Sequence, residues 1–438
     1  MEKVLIIGKG KSGQASFKFL KNLGYKVSYI LSDKDYLDYS MEKKDKLLRD
    51  LSFIVPSPAV SLHSKLIQDA LNLGIKVIDE TELAFSFDYG TVLAITGSNG
   101  KTTTTTLTTK ILQTESNCFS GGNIGVPYVR RVTEPHDSIV LEMSSFQLEK
   151  TEKFKPHIAA LLNISPDHLN HHAGMNEYIN AKLKIFSNQT ENDFAVLNYD
   201  DEFVRKIAPT LNAKVYFFSK NTIVRGCYIE NDSIYFKDGS NSTFIINDNE
   251  LKLLGDHNKE NYLCAVTMAM LFGISAENIR KVLKTFSAVN HRLKYVLSIN
   301  GVQFYNDSKA TNIASTIASM RAMVRPTTII LGGSDKGLEF DDLFKYAPPL
   351  IKGYVCMGEM REKLMLSAKK NNIINVWSAM NFEEAILRAY MSSVSGDVVL
   401  LSPACASFDW FKDYEERGKF FVTTVREMKR VYSRDKAK

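Results

Sequence analysis

A chain of 438 residues has room for about three domains of ordinary size, and its 44% hydrophobic and 24% charged residues are those of a globular protein in water. The formal charge of +6 is spread along the chain, apart from a basic tail at Lys429, Arg430, Arg434, Lys436 and Lys438 that a solvated helix end explains. It excludes a concentrated nucleic-acid surface and suits small anionic substrates. Five scattered cysteines (Cys118, Cys227, Cys264, Cys356, Cys405) with no C-x-x-C pair argue against disulfides and zinc. No run approaches the ~20 apolar residues of a membrane span, and MEKVLIIGKG lacks a long apolar leader. The expectation is a cytoplasmic chain with no membrane insertion.

The first segment, residues 1–89, alternates strand and helix. Apolar runs predict strands at Lys3–Ile7, Lys26–Leu31, Ser52–Val55 and Lys76–Ile78, with helices at Gln14–Leu23 and Ser64–Leu73. The turn Pro56-Ser57-Pro58 follows the third strand. Gly8, Gly10 and Gly13 fit G-x-G-x-x-G between a strand and a helix, and Asp33 stands 20 residues after Gly13. Alone, this pattern suggests a dinucleotide site and an NAD-dependent oxidoreductase. The physics is less specific. Such a loop brings backbone N–H groups and a helix N-terminus to any diphosphate, a UDP-sugar included, or it forms a tight turn that binds nothing.

The second segment, residues 90–288, opens with a strand at Thr91–Ile95. The loop Thr96-Gly97-Ser98-Asn99-Gly100-Lys101-Thr102-Thr103 leads into a helical stretch, Thr103–Gln113. This is a variant phosphate loop: the usual pattern has Gly where Ile95 stands, but Gly100-Lys101-Thr102 is intact. Its N–H groups cradle ATP phosphates, Lys101 reaches the β- and γ-phosphates, and the Thr102 hydroxyl meets magnesium. The apolar strand Ile139–Leu141 ends at Glu142, which is placed for a metal or for a helix N-terminus. A further strand, Ile158–Ile164, precedes Ser165-Pro166-Asp167-His168; His168 is a metal ligand or a hydrogen-bonded histidine. Lys182, 14 residues on, reads by itself as a solvated helix lysine. Residues 212–248 form a strand-rich subregion, and helices follow at Asn258–Leu271 and Ala276–Thr285.

The third segment, residues 289–438, repeats strand, loop and helix: Val302–Asn306 with Ile313–Met323, Thr327–Leu331 with Phe340–Phe344, and Val398–Leu401 with Asp409–Arg426. The fold class is α/β, with a Rossmann-like N-terminal domain, a central P-loop ATPase-type domain and a Rossmann-like C-terminal domain.

The phosphate loop, Glu142, the SPDH segment and Ala181-Lys182-Leu183-Lys184-Ile185 together resemble the Mur ligase family, and the resemblance covers essentially the whole chain. It implies an ATP-dependent ligase of peptidoglycan synthesis, monomeric, using ATP, two magnesium ions and CO₂, the last as a carbamate on Lys182. Thr102, Glu142, His168 and carbamylated Lys182 then hold metal, with Lys101, His168 and Lys182 catalytic. Asn170 stands where the family commonly has Asp. Further stretches (GGNIG at 121–125, GDHNKEN at 255–261, HRL at 291–293, NDSKATN at 306–312, LSPACASFD at 401–409) resemble the members that add D-glutamate to UDP-N-acetylmuramoyl-L-alanine.

On that resemblance Gly97, Ser98, Asn99, Gly100, Lys101, Thr102, Thr103, Asn258, Asn261, Arg292, Asp307 and Lys309 serve ATP. Ser12, Asp33, Lys34, Ser57 and Asn123 serve the UDP-substrate, with Pro58 and Ala59, the latter where Gly is frequent. Thr311, Lys336, Ser407, Phe408 and Tyr414 hold D-glutamate, Tyr414 standing where Phe is common. Arg292 and Lys309 reach ATP only when the third segment closes, which excludes water from the acyl phosphate. Local readings stand beside these roles: Asn258 and Asn261 as helix caps, Arg292 as an ion-pair partner, Asp307 and Ser402–Ser407 as turns. The competing functions are an NAD-dependent oxidoreductase, a non-enzymatic P-loop regulatory module, a sibling ligase adding another amino acid, and a folate polyglutamate ligase, which usually lacks the first domain.

Overall fold

Three sheets carry the chain, each continuing where the sequence resumes its apolar runs. The structure is a computed structural model that describes residues 2–58, 60–167, 172, 174–251, 256–286, 292–335 and 337–434.

The first sheet is parallel, in the order Lys26–Ile30, Lys3–Ile7, Leu51–Pro56, Lys76–Val77. Its central strand KVLII is buried on both faces, which explains an unbroken apolar run rather than an alternating one. Leu5 and Ile7 join one core with Ile54, Leu66 and Ile67. Val4 and Ile6 face another core that continues through Phe19, Leu20, Leu83 and Tyr128 to Ile139 and Leu141 of the second sheet.

The second sheet has nine strands, in the order Asn241–Asn247, Ser233–Asp238, Gly226–Glu230, Lys214–Ser219, Phe194–Asn198, Ile158–Leu161, Thr91–Thr96, Ser138–Glu142, Cys118–Gly122. Thr91–Thr96 lies parallel between Ile158–Leu161 and Ser138–Glu142. The strand-rich subregion extends this sheet, first with Lys214–Ser219 and Gly226–Glu230 in parallel and then with Ser233–Asp238 and Asn241–Asn247 antiparallel. The third sheet runs Lys294–Ile299, Val302–Asn306, Val398–Leu401, Thr327–Gly332, Ile351–Met357, Val376–Ser378, parallel after its first hairpin. Ile329 and Leu331 enter one core and Ile330 the other, so this sheet too is covered on both faces.

The chain forms two units: residues 1–251 with 260–285, holding the first two sheets, and residues 252–259 with 286–438, holding the third. No helix among the described residues is long and apolar enough to cross a membrane.

Several element ends differ from expectation, and the differences matter for the site. The first helix is Lys11–Asn22, so Ser12 stands in its opening turn. The phosphate-loop helix begins at Lys101, not Thr103. The strand expected through Ile164 ends at Leu161, because Asn163 and Ser165 turn to bind the phosphate loop. The last helix spans Tyr414–Arg434 rather than Asp409–Arg426. Its expected first turn is a loop, with the Asp409 N–H donating to Ser334 Oγ at 3.0 Å. The short helices Asp33–Leu37 and Met41–Leu48 and the strand Cys118–Gly122, whose sequences lack a sustained apolar period, were not foreseen.

Candidate active site

The phosphate loop lies at the carboxyl end of a strand flanked by two others, where open α/β sheets bind ligands. Ile95 replaces the usual glycine because it is still inside the sheet, wholly buried and in register with Glu142 and Ala160. The loop begins two residues later, at Gly97. Gly100 caps the following helix with φ +85°, and a Cβ there would stand 2.3 Å from Asn261 Oδ1. Only glycine fits both demands.

Neighbouring strands fix the loop's shape. The Asn99 N–H donates to Asn163 Oδ1 at 2.8 Å, and Asn163 Nδ2 returns to Asn99 O at 3.3 Å. Ser98 Oγ meets Tyr178 OH and Ser165 O, both at 2.8 Å. Lys101 Nζ curls over the loop, donating to Gly97 O at 2.6 Å and Ser98 O at 2.9 Å. Thr103 is buried in the first turn of the helix. Thr104 Oγ1 donates to Asn261 Oδ1 at 3.1 Å, which ties the helix Asp256–Phe272 to the loop.

Glu142 ends the adjacent strand and is 1% exposed. One oxygen accepts from the Thr102 hydroxyl at 2.7 Å, the other from Asn123 Nδ2 at 2.7 Å. A hydroxyl and a carboxylate in contact beside a phosphate loop are hard oxygen donors, and they fit magnesium. Among the described residues no three His, Cys, Asp or Glu form a metal cluster.

Lys182 is not a solvated lysine. It is 2% exposed, with Nζ 2.9 Å from Gly97 O and 4.7 Å from the Tyr178 ring centre. Burial, then the neighbouring Lys101 ammonium, hold its amine well below the ordinary lysine value; Asp167 and Glu142 oppose the shift.

The glycine loop of the first sheet is built by close packing. A Cβ on Gly13 would stand 2.1 Å from Gly8 O, so helix and loop touch there only because the residue is glycine. The Ser57 N–H donates to Ile7 O at 2.8 Å. Gly8, Asp33 and Ser57 line a cavity of about 360 Å³ with Ser61 and Ser64. The Asp33 carboxylate accepts from the backbone N–H groups of Lys65 and Leu66, at 3.1 and 2.8 Å, and so caps the helix Lys65–Asn72. Lys34 is exposed beside it.

In the third sheet, loops after the adjacent strands Val302–Asn306 and Val398–Leu401 meet. Asp307, 5% exposed, accepts from Ser319 Oγ at 2.6 Å, Ser402 Oγ at 2.8 Å and the Leu293 N–H at 3.1 Å. Burial raises its carboxyl to about 6. Lys309 Nζ sits 4.9 Å from the Tyr414 ring centre. Ser407 is buried, Thr311 half-buried and Phe408 exposed. Arg417 is 1% exposed. It donates to Ser308 Oγ and O on one loop and to Cys405 O and Ala406 O on the other.

Residues 95–269 match the Mur ligase middle domain, and residues 291–405 match a domain described as Mur ligase, glutamate ligase domain. A UDP-N-acetylmuramoylalanine–D-glutamate ligase from Thermoanaerobacter sp. is 40% identical, over 98% of this chain and 99% of that one. Another of the same name, from Koribacter versatilis, is 41% identical over 98% of each. The chain belongs to the Mur ligase family. Two solved structures share the fold: a pseudomurein peptide ligase type C from Methanothermus fervidus, with TM-score 0.62 at 18% identity over 98% of this chain and all of that one, and the MurF ligase from Thermotoga maritima in complex with ADP, with TM-score 0.61 at 17% identity over 98% and 96%.

Of the residues singled out in this Mur ligase, the structure brings together Gly97–Thr103, Asn123, Glu142, Lys182 and Asn261. Ser12, Asp33 and Ser57 surround the first glycine loop. Asp307, Lys309 and Tyr414 cluster in the second unit. Asn258 is buried and Arg292 half-buried in that unit. His168, Asn170, Ala59 and Lys336 lie outside the described residues. Tyr178, Asn163, Lys150 and Arg417 were missed. Asn163 and Tyr178 carry no local motif; a basic residue inside the apolar face of the last helix was the available signal for Arg417.

Proposed function

We propose that this Mur ligase joins D-glutamate to UDP-N-acetylmuramoyl-L-alanine at the expense of ATP, in peptidoglycan precursor synthesis. The reading rests on near-full-length identity of 36–41% to ligases of that name. One site observation supports the chemistry: a phosphate loop whose threonine contacts a buried glutamate, with a buried amine on the same loop. The division of labour follows the segments: residues 1–89 take the UDP-substrate, 90–288 take ATP, and 289–438 take the amino acid.

The substrate carboxylate attacks the γ-phosphorus in line, and ADP leaves. The amine of D-glutamate then attacks the acyl-phosphate carbonyl, loses a proton, and phosphate leaves. Lys101 turns from the loop carbonyls to the transferring phosphoryl group and stabilises its spreading charge. Thr102, Glu142, His168 and Lys182 hold magnesium, which when bound offsets the repulsion between two anions. Burial shifts Lys182 toward the uncharged amine form that CO₂ requires, and a carbamate there would be an oxygen ligand. Gly97–Thr103, Asn258, Asn261, Arg292, Asp307 and Lys309 bind ATP. Ser12, Asp33, Lys34, Ser57 and Asn123 bind the UDP-substrate, and Thr311, Lys336, Ser407, Phe408 and Tyr414 bind D-glutamate.

The test is ATP-dependent phosphate release with UDP-N-acetylmuramoyl-L-alanine and a panel of amino acids. D-Glutamate is expected to support turnover, with L-glutamate, L-alanine, a diamino acid and D-alanyl-D-alanine at background. Turnover with one of the others and not with D-glutamate overturns the substrate assignment.

A further inference from the structure

Lys150 follows the helix Ser145–Leu148, and its side chain is wholly buried. Nζ donates to Pro58 O at 2.9 Å, Phe146 O at 3.0 Å and Glu149 Oε1 at 2.8 Å. An ammonium has three donors, so all of them are used. A buried ion pair of this kind contributes little net stability over an apolar substitute, because desolvation offsets the attraction. Its connections are more informative.

The Pro58 carbonyl belongs to the turn that packs on the first glycine loop, where a Cβ on Gly8 would stand 2.9 Å from Ser57 Cβ. The Phe146 carbonyl lies four residues after Glu142, whose carboxylate contacts Thr102 of the phosphate loop. One ammonium therefore links the turn that packs on the first glycine loop to the segment that follows Glu142, across 92 residues of sequence. The wholly buried carboxyl of Asp79, at the start of the helix joining the two sheets, also feels the Lys150 charge.

We propose that Lys150 is a positioning residue: it holds the Pro56–Pro58 turn at a set separation from the Glu142 segment, and so sets where the carboxylate of a UDP-linked substrate arrives at the phosphate loop. This rests on the ligase reading above. A substrate gripped at its nucleotide end reacts at its far end, so a small tilt between the two loops becomes a large displacement of the reacting atom. Misplacement by about 1 Å costs on the order of a hundredfold in rate.

Lys150→Met keeps the stem and removes the donors, and Lys150→Arg keeps donors. The double variant Lys150→Met/Glu149→Gln removes both members of this ion pair, so that the Glu149 carboxylate is not left without its ammonium partner. For each, kcat and KM with UDP-N-acetylmuramoyl-L-alanine are measured beside calorimetric affinities for UDP and for ATP and the melting temperature. The expected result is a kcat lowered by about ten- to a hundredfold in both methionine variants, with nucleotide affinities close to wild type and partial recovery in the arginine variant. Should the single methionine variant not fold, the double variant carries the test. A lowered melting temperature with kcat unchanged in the folded protein makes Lys150 purely structural and overturns the proposal. Wild-type protein that releases no phosphate with this substrate and D-glutamate overturns the ligase reading, and Lys150 with it.

Discussion

The chain contains two strand–glycine loop–helix turns, Ile7 to Lys11 and Thr96 to Lys101, with similar backbones and different surroundings. In both, glycines let a helix N-terminus and backbone N–H groups face an anion. Around the first, contacts are mostly backbone packing, and the acid at the ribose-binding spacing caps another helix. Around the second, the ends of neighbouring strands deliver Asn163 and Glu142, and the helix Met175–Leu183 delivers Tyr178 and Lys182. A glycine loop specifies that a phosphate can approach; the side chains supplied by adjacent strands and by the helix Met175–Leu183 specify what happens to it. The oxidoreductase reading weighed the first loop by its glycine spacing, its place between a strand and a helix, and the position of Asp33, without the surrounding side chains.

The contrast breaks most severely at Lys101. Lys101→Ala is expected to fold and to lose about a thousandfold in phosphate release, because its charge acts on the transferring phosphoryl group. Near wild-type turnover in a folded variant would remove the second loop from the chemistry. Lys182→Ala comes next, with a loss on the order of a hundredfold. Carbon NMR with labelled bicarbonate should show a carbamate signal in wild type and none in the variant. A wild type without that signal under saturating CO₂ leaves Lys182 a buried amine only.

The first loop should respond in stability rather than in phosphoryl chemistry. Gly13→Ala drives a Cβ into the Gly8 carbonyl and is expected to destabilise by about 2 kcal/mol, read from urea unfolding. Asp33→Ala removes a helix cap and should cost about 1 kcal/mol; calorimetry on the wild type should detect UDP and not NAD. Tight NAD binding without UDP binding would reverse the comparison.

The smallest effect is expected in the helix Glu80–Phe85 between the loops. Burial, then the Asp79 charge, raise the Glu80 carboxyl from 4.5 to about 8. The native protein therefore keeps a proton that the unfolded chain has released. This stabilisation is complete below about pH 4.5 and is lost as the pH rises through about 8. Glu80→Gln cannot ionise and should reduce the fall in melting temperature between pH 5 and pH 8.5 by about 2 °C. An unchanged profile would place that titration elsewhere.

Much of the fold was legible in the sequence. Lys3–Ile7, Val302–Asn306, Val398–Leu401 and Ala276–Thr285 match their apolar runs residue for residue, since strands covered on both faces and amphipathic helices write their burial directly into composition. The expectations failed where one long-range contact overrides local pattern. Asn163 ends a strand by binding Asn99, and the Ser334 hydroxyl holds Asp409 out of the last helix.

For the site the same division is sharper. The sequence by itself determined that a Gly-Lys-Thr loop stands between a strand and a helix, and that Glu142 closes an apolar strand. Both are local properties of backbone and composition. Only the tertiary structure decided that Glu142 meets Thr102 across 40 residues, that Lys182 is buried against Gly97 across 85, and that Arg417 joins two loops across 109. Those side chains carry no signature along the chain, because what changes their chemistry is the water they lose and the neighbours they gain once the sheets have formed.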